Sequence, residues 1–151
     1  MKLCIQVIHH IAERLDDLHS AGYVHRDLKP GNVMWLPRQN RWTLIDFGCA
    51  ARIGEDARMG YSLAYAAPEI IHAVRGGRDT ILASDKLDAW SLGVMAVELL
   101  TNKSPFNLLE GKEKVCGTRT RPWWSFRVLC HIGGVDQTPV LPTKHEFSPF
   151  E

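Results

Sequence analysis

Two short loops carry the side chains best suited to chemistry. Asp27, Lys29 and Asn32 lie on the first loop, and Asp46 opens the second. Two carboxylates and an amide oxygen are hard oxygen ligands of the kind that Mg²⁺ prefers, and they leave room for phosphate oxygens around the ion. Lys29 can neutralise phosphate charge, and the aspartate that is left over can accept a proton from a hydroxyl. The pattern therefore indicates a site for a metal ion and a phosphate group.

The elements on either side must hold these loops in place. Apolar residues at helical spacing predict an amphipathic helix over residues 2–20, and Gly22 is suited to cap its C-terminal end. Two short apolar runs, residues 33–36 and 42–45, flank a turn and predict a small hairpin. Because a tight hairpin returns the chain to its starting point, Asp46 is expected to lie close to the first loop.

Further along, residues 46–68 hold scattered glycines and charges without a sustained period, and they predict a loop. A helical turn is predicted over residues 69–74. Ser84 or Asp85 can cap a helix over about residues 86–100, and apolar side chains cover nearly every face of that helix. We expect this second long helix to be buried all round.

The chain changes character beyond residue 110. Residues 111–151 show neither a helical nor an alternating pattern, so they predict a loosely ordered tail. Residues 112–127 combine arginines and lysines with Trp123, Trp124 and Phe126, which leaves open an RNA-stacking or membrane-surface patch. These aromatics share no face of a defined element, so a solvated extension is the preferred interpretation.

Composition limits the class of protein. The chain has 151 residues, of which 45% are hydrophobic and 23% are charged, as in one soluble globular domain. The net charge of +1 provides no general attraction to nucleic acid or to anionic lipid, so neither partner is expected. The cysteines form no zinc-type spacing and are interpreted as reduced thiols: Cys4, Cys49, Cys116 and Cys130. With no signal peptide or apolar span, a cytoplasmic location is expected, and the nucleus is the alternative.

Four motifs stand in the order that eukaryotic protein kinases use. They are HRDLKPGN from His25, DFG from Asp46, APE from Ala67 and DAWSLG from Asp88. Over residues 3–106 the chain resembles the serine/threonine type of that family. The resemblance implies an α+β, mostly α-helical fold, namely the C-terminal lobe of a protein kinase with a small β-hairpin.

The resemblance also implies an activity and the residues that perform it. The activity is ATP-dependent transfer of a phosphoryl group to a protein substrate with a Ser or Thr acceptor, for which Lys29 in this loop is typical. Asp27 matches the catalytic base, Lys29 the contact to the γ-phosphate, and Asn32 and Asp46 the ligands of the Mg²⁺ that accompanies ATP. Ser62 matches the hydroxyl residue that hydrogen-bonds the base and the lysine, and the alternative for Ser62 is an ordinary loop serine.

Three further matches concern the support of this site. His25 and Phe47 resemble members of a stacked hydrophobic column behind the active site. Asp88 resembles a buried carboxylate that orders the catalytic loop, so its oxygens are expected to accept hydrogen bonds from backbone N–H groups near His25 and Arg26. The alternative for Asp88 is an N-terminal helix acid favoured by the helix dipole.

Arg26 raises the question of regulation. In the family this arginine, next to the base, signals control by a phosphate in the segment between DFG and APE. Residues 49–60 contain no hydroxyl side chain. We therefore expect Glu55 or Asp56 to pair with Arg26 and hold the segment without modification.

The sequence departs from the family pattern at both ends. The 151 residues contain no G-x-G-x-x-G phosphate loop, and Glu69 of the APE motif lacks an identifiable arginine partner. We therefore expect a partial kinase domain over residues 1–110 without its N-terminal lobe, followed by an unrelated tail over residues 111–151. Such a chain would be a truncated kinase that is weakly active or inactive alone. The alternatives are a non-catalytic kinase-like interaction module, a pseudokinase fragment, or a fragment that does not fold independently.

Overall fold

The computed structural model describes residues 2–106, and this part of the chain contains three helices and six short strands. The helices are α1 (Lys2–Ser20), α2 (Pro68–Arg75) and α3 (Asp85–Thr101). The strands are β1 (Tyr23–Val24), β2 (Val33–Leu36), β3 (Arg41–Leu44), β4 (Ala51–Arg52), β5 (Asp56–Arg58) and β6 (Thr80–Leu82). The expected mixed α+β class is thus found. The predicted tail and its basic aromatic patch lie outside the described residues.

Helix α1 has the bounds that the sequence predicts. Val7, Ile11 and Leu15 form its buried stripe, and Ile11 is wholly inaccessible to solvent. This stripe faces β3 and α3. Gly22 follows the helix with φ +85°, a conformation that a residue with a Cβ rarely adopts, and its N–H donates to the carbonyl of His19. The chain can therefore reverse directly into β1.

The predicted hairpin is present as β2 and β3, which pair antiparallel with Val33 opposite Leu44. A short 3₁₀ turn at Pro37–Gln39 and a left-handed Asn40 reverse the chain. The second strand ends at Leu44, and the N–H of Ile45 instead donates to the carbonyl of Asn32 at 2.9 Å. The hairpin therefore joins the end of the first functional loop to the start of the second.

The prediction of a continuous loop over residues 46–68 is wrong. This stretch contains β4, β5 and a 3₁₀ turn at Leu63–Tyr65. β4 pairs antiparallel with β1, and β5 pairs antiparallel with β6. Strands of two or three residues are too short to show alternation in the sequence, and their partners are distant in the chain. No local pattern could therefore have indicated them.

Helix α3 also has nearly the predicted bounds. Its N-cap is Ser84, whose side-chain oxygen accepts a hydrogen bond from the Lys86 N–H, and Asn102 ends it in the left-handed conformation. The prediction that it is buried all round is wrong, because Trp90, Val97 and Leu100 are exposed. Within residues 2–106 the helix packs through one face only, and apolar composition does not specify which face that is.

The core beside the functional loops joins three elements, β1, α2 and α3. Val24 of β1, Ala67 before α2, Ile70 of α2 and Leu87 of α3 are buried against one another, and Ala83 completes the cluster. This packing fixes the position of β1 relative to α3, and so positions the loop that follows β1. No helix in the described part of the chain has the length and hydrophobicity needed to cross a membrane.

Replacement of Ile11 by alanine tests the contribution of α1 to the core. We expect Ile11→Ala to lower the free energy of unfolding by about 2–5 kcal/mol, since it leaves a cavity in a fully buried site. The matched control is Ile5→Ala on the same helix, where the side chain is 55% exposed and the cost is expected to stay within about 0.5 kcal/mol. Urea denaturation of the two variants measures the difference. Equal costs would show that α1 does not pack as described.

Candidate active site

Lys29 links the two parts of the site. Its Nζ lies 2.7 Å from Oδ2 of Asp27 and 2.7 Å from Oγ of Ser62. Ser62 comes from the segment just before α2, and it is the N-cap of the 3₁₀ turn at Leu63–Tyr65. The sequence-predicted contact between Ser62 and the lysine is therefore present. The direct hydrogen bond places Ser62 in one cluster with Asp27 and Lys29, and its catalytic role stays a prediction.

Asn32 holds Asp27 from the other side. Its Nδ2 donates to the backbone carbonyl of Asp27 at 2.8 Å and to Oδ2 of the same residue at 3.2 Å. Because the amide nitrogen is used for Asp27, the amide oxygen of Asn32 is not committed to that contact. The other carboxylate oxygen of Asp27, Oδ1, is buried and has no hydrogen-bond partner. Asp27 is thus held through Oδ2, while the hydrogen-bonding capacity of Oδ1 is unused.

The surroundings of Asp27 favour its charged form. Burial acts to raise the pKa of this carboxyl, but the hydrogen bonds from Lys29, Ser62 and Asn32 and the positive charge of Lys29 act in the opposite direction. The net effect lowers the pKa of Asp27 below its ordinary value. Asp27 is therefore a carboxylate at neutral pH, as a proton acceptor must be.

Asp46 is positioned by the hairpin. The bond from the Ile45 N–H to the Asn32 carbonyl brings Asp46 to the end of the first loop, where it adopts φ +63°. Its side chain is exposed, and Oδ1 accepts a hydrogen bond from the Gly48 N–H at 3.3 Å. A Cβ at Gly48 would lie 3.2 Å from that oxygen, which is a tight contact. The structure therefore brings Asp27, Lys29, Asn32 and Ser62 into one cluster and places Asp46 next to it without a direct side-chain bond.

The oxygen donors near Asp46 determine which kind of metal ion the site could hold. Within residues 2–106 no three His, Cys, Asp or Glu side chains come together as a metal-holding group. The amide oxygen of Asn32 and the carboxylate of Asp46 are two hard oxygen donors near one end of the hairpin. Mg²⁺ is commonly held by one or two protein oxygens together with substrate phosphates and water. The residues therefore fit a magnesium ion that arrives with a nucleotide, rather than a resident metal.

Asp88 accepts the backbone hydrogen bonds that the sequence predicts and so orders the loop that contains Asp27. Its carboxylate is fully buried, and its two oxygens accept hydrogen bonds from the N–H groups of His25 and Arg26, both at 2.8 Å. Nε2 of His19, near the end of α1, lies 2.9 Å from Oδ2 of Asp88. Three hydrogen-bonding partners therefore compensate the buried charge of Asp88. Its role goes beyond that of an acid at the N-terminus of a helix.

The rings of His25 and Phe47 are in contact, whereas their place in a hydrophobic column behind the active site stays a prediction, since Phe47 is 49% exposed. Their ring centroids are 5.2 Å apart at an interplanar angle of 54°. Nε2 of His25 lies 3.1 Å from the carbonyl oxygen of Ile45. The His25 ring thus joins the loop that contains Asp27 to the residue that precedes Asp46.

The expected pairing of Arg26 with Glu55 or Asp56 is wrong. Arg26 is buried, and its guanidinium donates to the backbone carbonyls of Cys49 and Arg58. In the described chain neither acid forms an ion pair with it. Burial lowers the pKa of Arg26, and the nearby Cys49 and Asp88 act in the opposite direction. Charge complementarity in the sequence suggested acidic partners, whereas the acceptors are two backbone carbonyls, one in the turn before β4 and one at the end of β5.

Two further contacts were not predicted. Oη of Tyr65 donates to Oε2 of Glu98 at 2.5 Å, and burial together with this carboxylate raises the pKa of the Tyr65 hydroxyl. Oγ of Ser91 donates to the Tyr65 carbonyl at 2.8 Å. Both bonds tie the segment that carries Ser62 to α3. The only available signal was the helical spacing of Ser91 and Glu98, which places both on one face of α3.

Glu69 lies in the first turn of α2 and is exposed. In the part of the chain that the structure describes, it forms no ion pair. Arg119, Arg121 and Arg127, which the sequence offers as substitutes for the family's arginine, lie outside the described residues.

The lowered pKa of Asp27 predicts a specific pH dependence. A carboxylate with a folded-state pKa below its unfolded value of about 3.9 stabilises the fold above that pH, and its contribution is lost as the pH falls through the folded-state pKa. Asp27→Asn removes this titration, so the unfolding free energy of the wild type minus that of the variant is expected to decrease between about pH 5 and pH 2. Urea denaturation across this range measures the difference. A difference that does not vary with pH would contradict the description of Asp27.

A sequence profile for the protein kinase domain matches residues 1–141 of the chain. The matched range includes part of the predicted tail, and the boundary near residue 110 stays a prediction.

Several curated proteins are similar to the chain. Myotonin-protein kinase of Homo sapiens is 38% identical over 101 residues, which cover 64% of this chain and 16% of that protein. Serine/threonine-protein kinase mrck-1 of Caenorhabditis elegans is 40% identical over 97 residues, which cover 61% of this chain and 6% of that protein. Serine/threonine-protein kinase SBK1 of Mus musculus is 34% identical over 115 residues, which cover 75% of this chain and 26% of that protein. The chain thus spans about a quarter or less of these relatives. The profile match over most of the chain, on the same residues that build the hydrogen-bonded site, shows that the chain belongs to the protein kinase family.

Proposed function

We propose that the chain carries the catalytic and metal-binding loops of a serine/threonine protein kinase, arranged as in the C-terminal lobe of that fold. The observation that supports this most strongly is the cluster in which Lys29 bridges Asp27 and Ser62. Two of the relatives named above are serine/threonine-protein kinases by name. The proposed substrates are ATP and a protein with a Ser or Thr acceptor, and neither a nucleic acid nor a membrane is a proposed partner.

In this proposal Asp27 is the catalytic base. Its Oδ2 is held by Lys29 and Asn32, while Oδ1 is buried without a partner. When the substrate binds, the side chains that cover Oδ1 must move aside, and an acceptor hydroxyl that then donates to Oδ1 would satisfy this oxygen and be aligned for attack. As the hydroxyl oxygen bonds to phosphorus, its proton passes to Asp27, and the bond to the leaving nucleotide breaks. The lowered pKa of Asp27 keeps it ionised until that moment.

Three further residues neutralise the phosphate charge and position the nucleotide in this proposal, namely Lys29, Asn32 and Asp46. Bound MgATP would supply the phosphoryl group and a metal ion that neutralises its charge. Asn32 and Asp46 would hold the ion through their side-chain oxygens. Lys29 contributes a positive charge next to the base, and its bond to Ser62 keeps the segment before α2 at the site. These roles depend on positioning, which is the main source of catalysis in phosphoryl transfer.

We propose that these 151 residues alone transfer phosphate weakly or not at all. The described site neutralises phosphate charge through Lys29, and the sequence holds no glycine-rich loop for the remaining phosphates.

The second candidate function is a non-catalytic kinase-like interaction module or pseudokinase fragment. The exposed apolar face of α3, with Trp90 and Val97, favours it because such a surface is suited to a protein contact. A cytoplasmic place of action is part of the proposal.

Nucleotide binding provides the first test. With MgATP at about ten times its Kd, binding is expected to stabilise the chain by about 1.4 kcal/mol, which raises the melting temperature by about 5 °C. Asp46→Asn removes a charged oxygen donor and is expected to abolish the rise. The matched control is Asp16→Asn, an exposed aspartate on α1, which should keep it. Thermal unfolding of the three proteins with and without MgATP measures the effect.

The outcomes separate the two candidate functions. A rise that Asp46→Asn removes supports the metal-binding assignment. A cooperative transition without any rise contradicts nucleotide binding and favours the interaction module. A rise of equal size in Asp46→Asn would show that the nucleotide binds without this carboxylate.

Phosphoryl transfer tests the role of Asp27. Incubation of the chain with radiolabelled MgATP and a peptide library that contains Ser and Thr is expected to give slow labelling. Asp27→Asn should reduce the rate by at least about 100-fold, because the hydroxyl proton then has no acceptor. Asp16→Asn is again the control and should label at the wild-type rate. Labelling that is detectable and equal in the wild type and Asp27→Asn would contradict the assignment of the base.

A further inference from the structure

Arg26 occupies an unusual position beside the proposed base. It adopts φ +71°, and its backbone N–H donates to Oδ1 of Asp88. The side chain is 6% exposed, so the guanidinium extends into the protein rather than into solvent. There Nη1 donates to the carbonyl of Cys49 at 3.2 Å, and Nη2 donates to the carbonyl of Arg58.

These two carbonyls belong to opposite ends of one segment, residues 49–60. The same ends also meet directly, since a Cβ added to Gly60 would lie only 2.7 Å from Sγ of Cys49. Glycine at position 60 thus permits the close approach of the two ends. Arg26 lies where the segment leaves the DFG motif and where it returns toward Ser62.

The middle of the segment is fastened by backbone bonds. The N–H of Ile53 donates to Gly22, the N–H of Gly54 donates to Ala83, and the N–H of Met59 donates to Asp79. The strand pairs β1–β4 and β5–β6 continue this pattern. The hydrogen bonds described for residues 49–60 therefore use the main chain or Arg26, and the segment contains no Ser, Thr or Tyr that could be phosphorylated.

We propose that Arg26 is a positioning residue that bridges the two ends of residues 49–60, so that this segment is ordered without phosphorylation. A guanidinium suits this task because its donors form a rigid fork that reaches two separate acceptors at once. A lysine presents a single ammonium and would reach one carbonyl well. The regulatory part of the inference, a kinase site that needs no phosphate in this segment, rests on the proposed function. The structural part does not.

Trypsin provides a direct test, because the segment contains the exposed Arg52 and Arg58. The carbonyl of Arg58 is both the bond that trypsin attacks and an acceptor for Arg26. When opening is fast relative to cleavage, the cleavage rate follows the open population. The full chain is made in bacteria, shown by mass to lack phosphate, and digested without nucleotide, so the result does not depend on ATP binding.

The comparison uses the wild type, Arg26→Met and Arg26→Lys. Cleavage after Arg38, in the exposed hairpin turn, is the internal reference. In the unphosphorylated wild type, cleavage after Arg58 is expected to be at least tenfold slower than in a free peptide of residues 49–61. Arg26→Met should accelerate cleavage after Arg58 at least tenfold, and Arg26→Lys should give an intermediate rate. Cleavage after Arg38 should stay the same in all three.

Several results would overturn the inference. A wild-type chain cleaved after Arg58 as fast as the peptide would show that the unphosphorylated segment is not ordered. Unchanged protection in Arg26→Met would show that the backbone bonds suffice. Equal acceleration of cleavage after Arg38 and Arg58 would show that Arg26→Met unfolds as a whole. In that case Arg26→Lys tests the inference, and its cleavage after Arg58 is expected to be at least threefold faster than in the wild type. Wild-type protection in Arg26→Lys would refute the two-carbonyl bridge.

Discussion

The buried carboxylate of Asp88 is the contact on which the catalytic loop depends. It is held by α3, yet its oxygens bind the backbone of His25 and Arg26 and the ring of His19. A buried charge costs much unless its oxygens accept hydrogen bonds, so the loop must adopt the conformation that provides these donors. Once His25 and Arg26 are fixed, the residues that follow them have little freedom. The backbone hydrogen bonds of His25 and Arg26 therefore already position Asp27, and the contacts of its own side chain add to this.

The remaining contacts bring distant parts of the chain to that fixed loop. The hairpin does this over a short sequence distance and carries Asp46 to Asn32. Ser62 arrives by a longer path, through the pairing of β5 with β6 and the bonds of Tyr65 to α3. Lys29 then joins the two sides. The site is thus an assembly of loops supported by helices. The hydrogen bonds described above join α3 to the loop that contains Asp27 and to the segment that contains Ser62, but not to the hairpin.

The sequence predicted those features that depend on local pattern or on a motif with a known geometry. The spacing of Val7, Ile11 and Leu15 was sufficient for α1, and the motif that contains Asp88 was sufficient for its contacts with His25 and Arg26. The short strands β4, β5 and β6 could not be predicted, since each is stabilised by a partner elsewhere in the chain. The partner of Arg26 was missed for a related reason, because backbone carbonyls are present at every residue and leave no mark in the sequence. The exposed side of α3 was missed because an apolar helix does not show which of its faces will be covered.

The distance along the chain between Asp88 and the loop it orders has a consequence for folding. More than 60 residues separate Asp88 from His25 and Arg26, so their contact closes a large loop and must overcome a corresponding loss of chain entropy. Helix α1 and the hairpin can form early from local contacts, but the loop between them has no reason to adopt its final shape until α3 has docked. We therefore expect the geometry around Asp27 to be among the last features to form when the chain folds and among the first to be lost when α3 detaches.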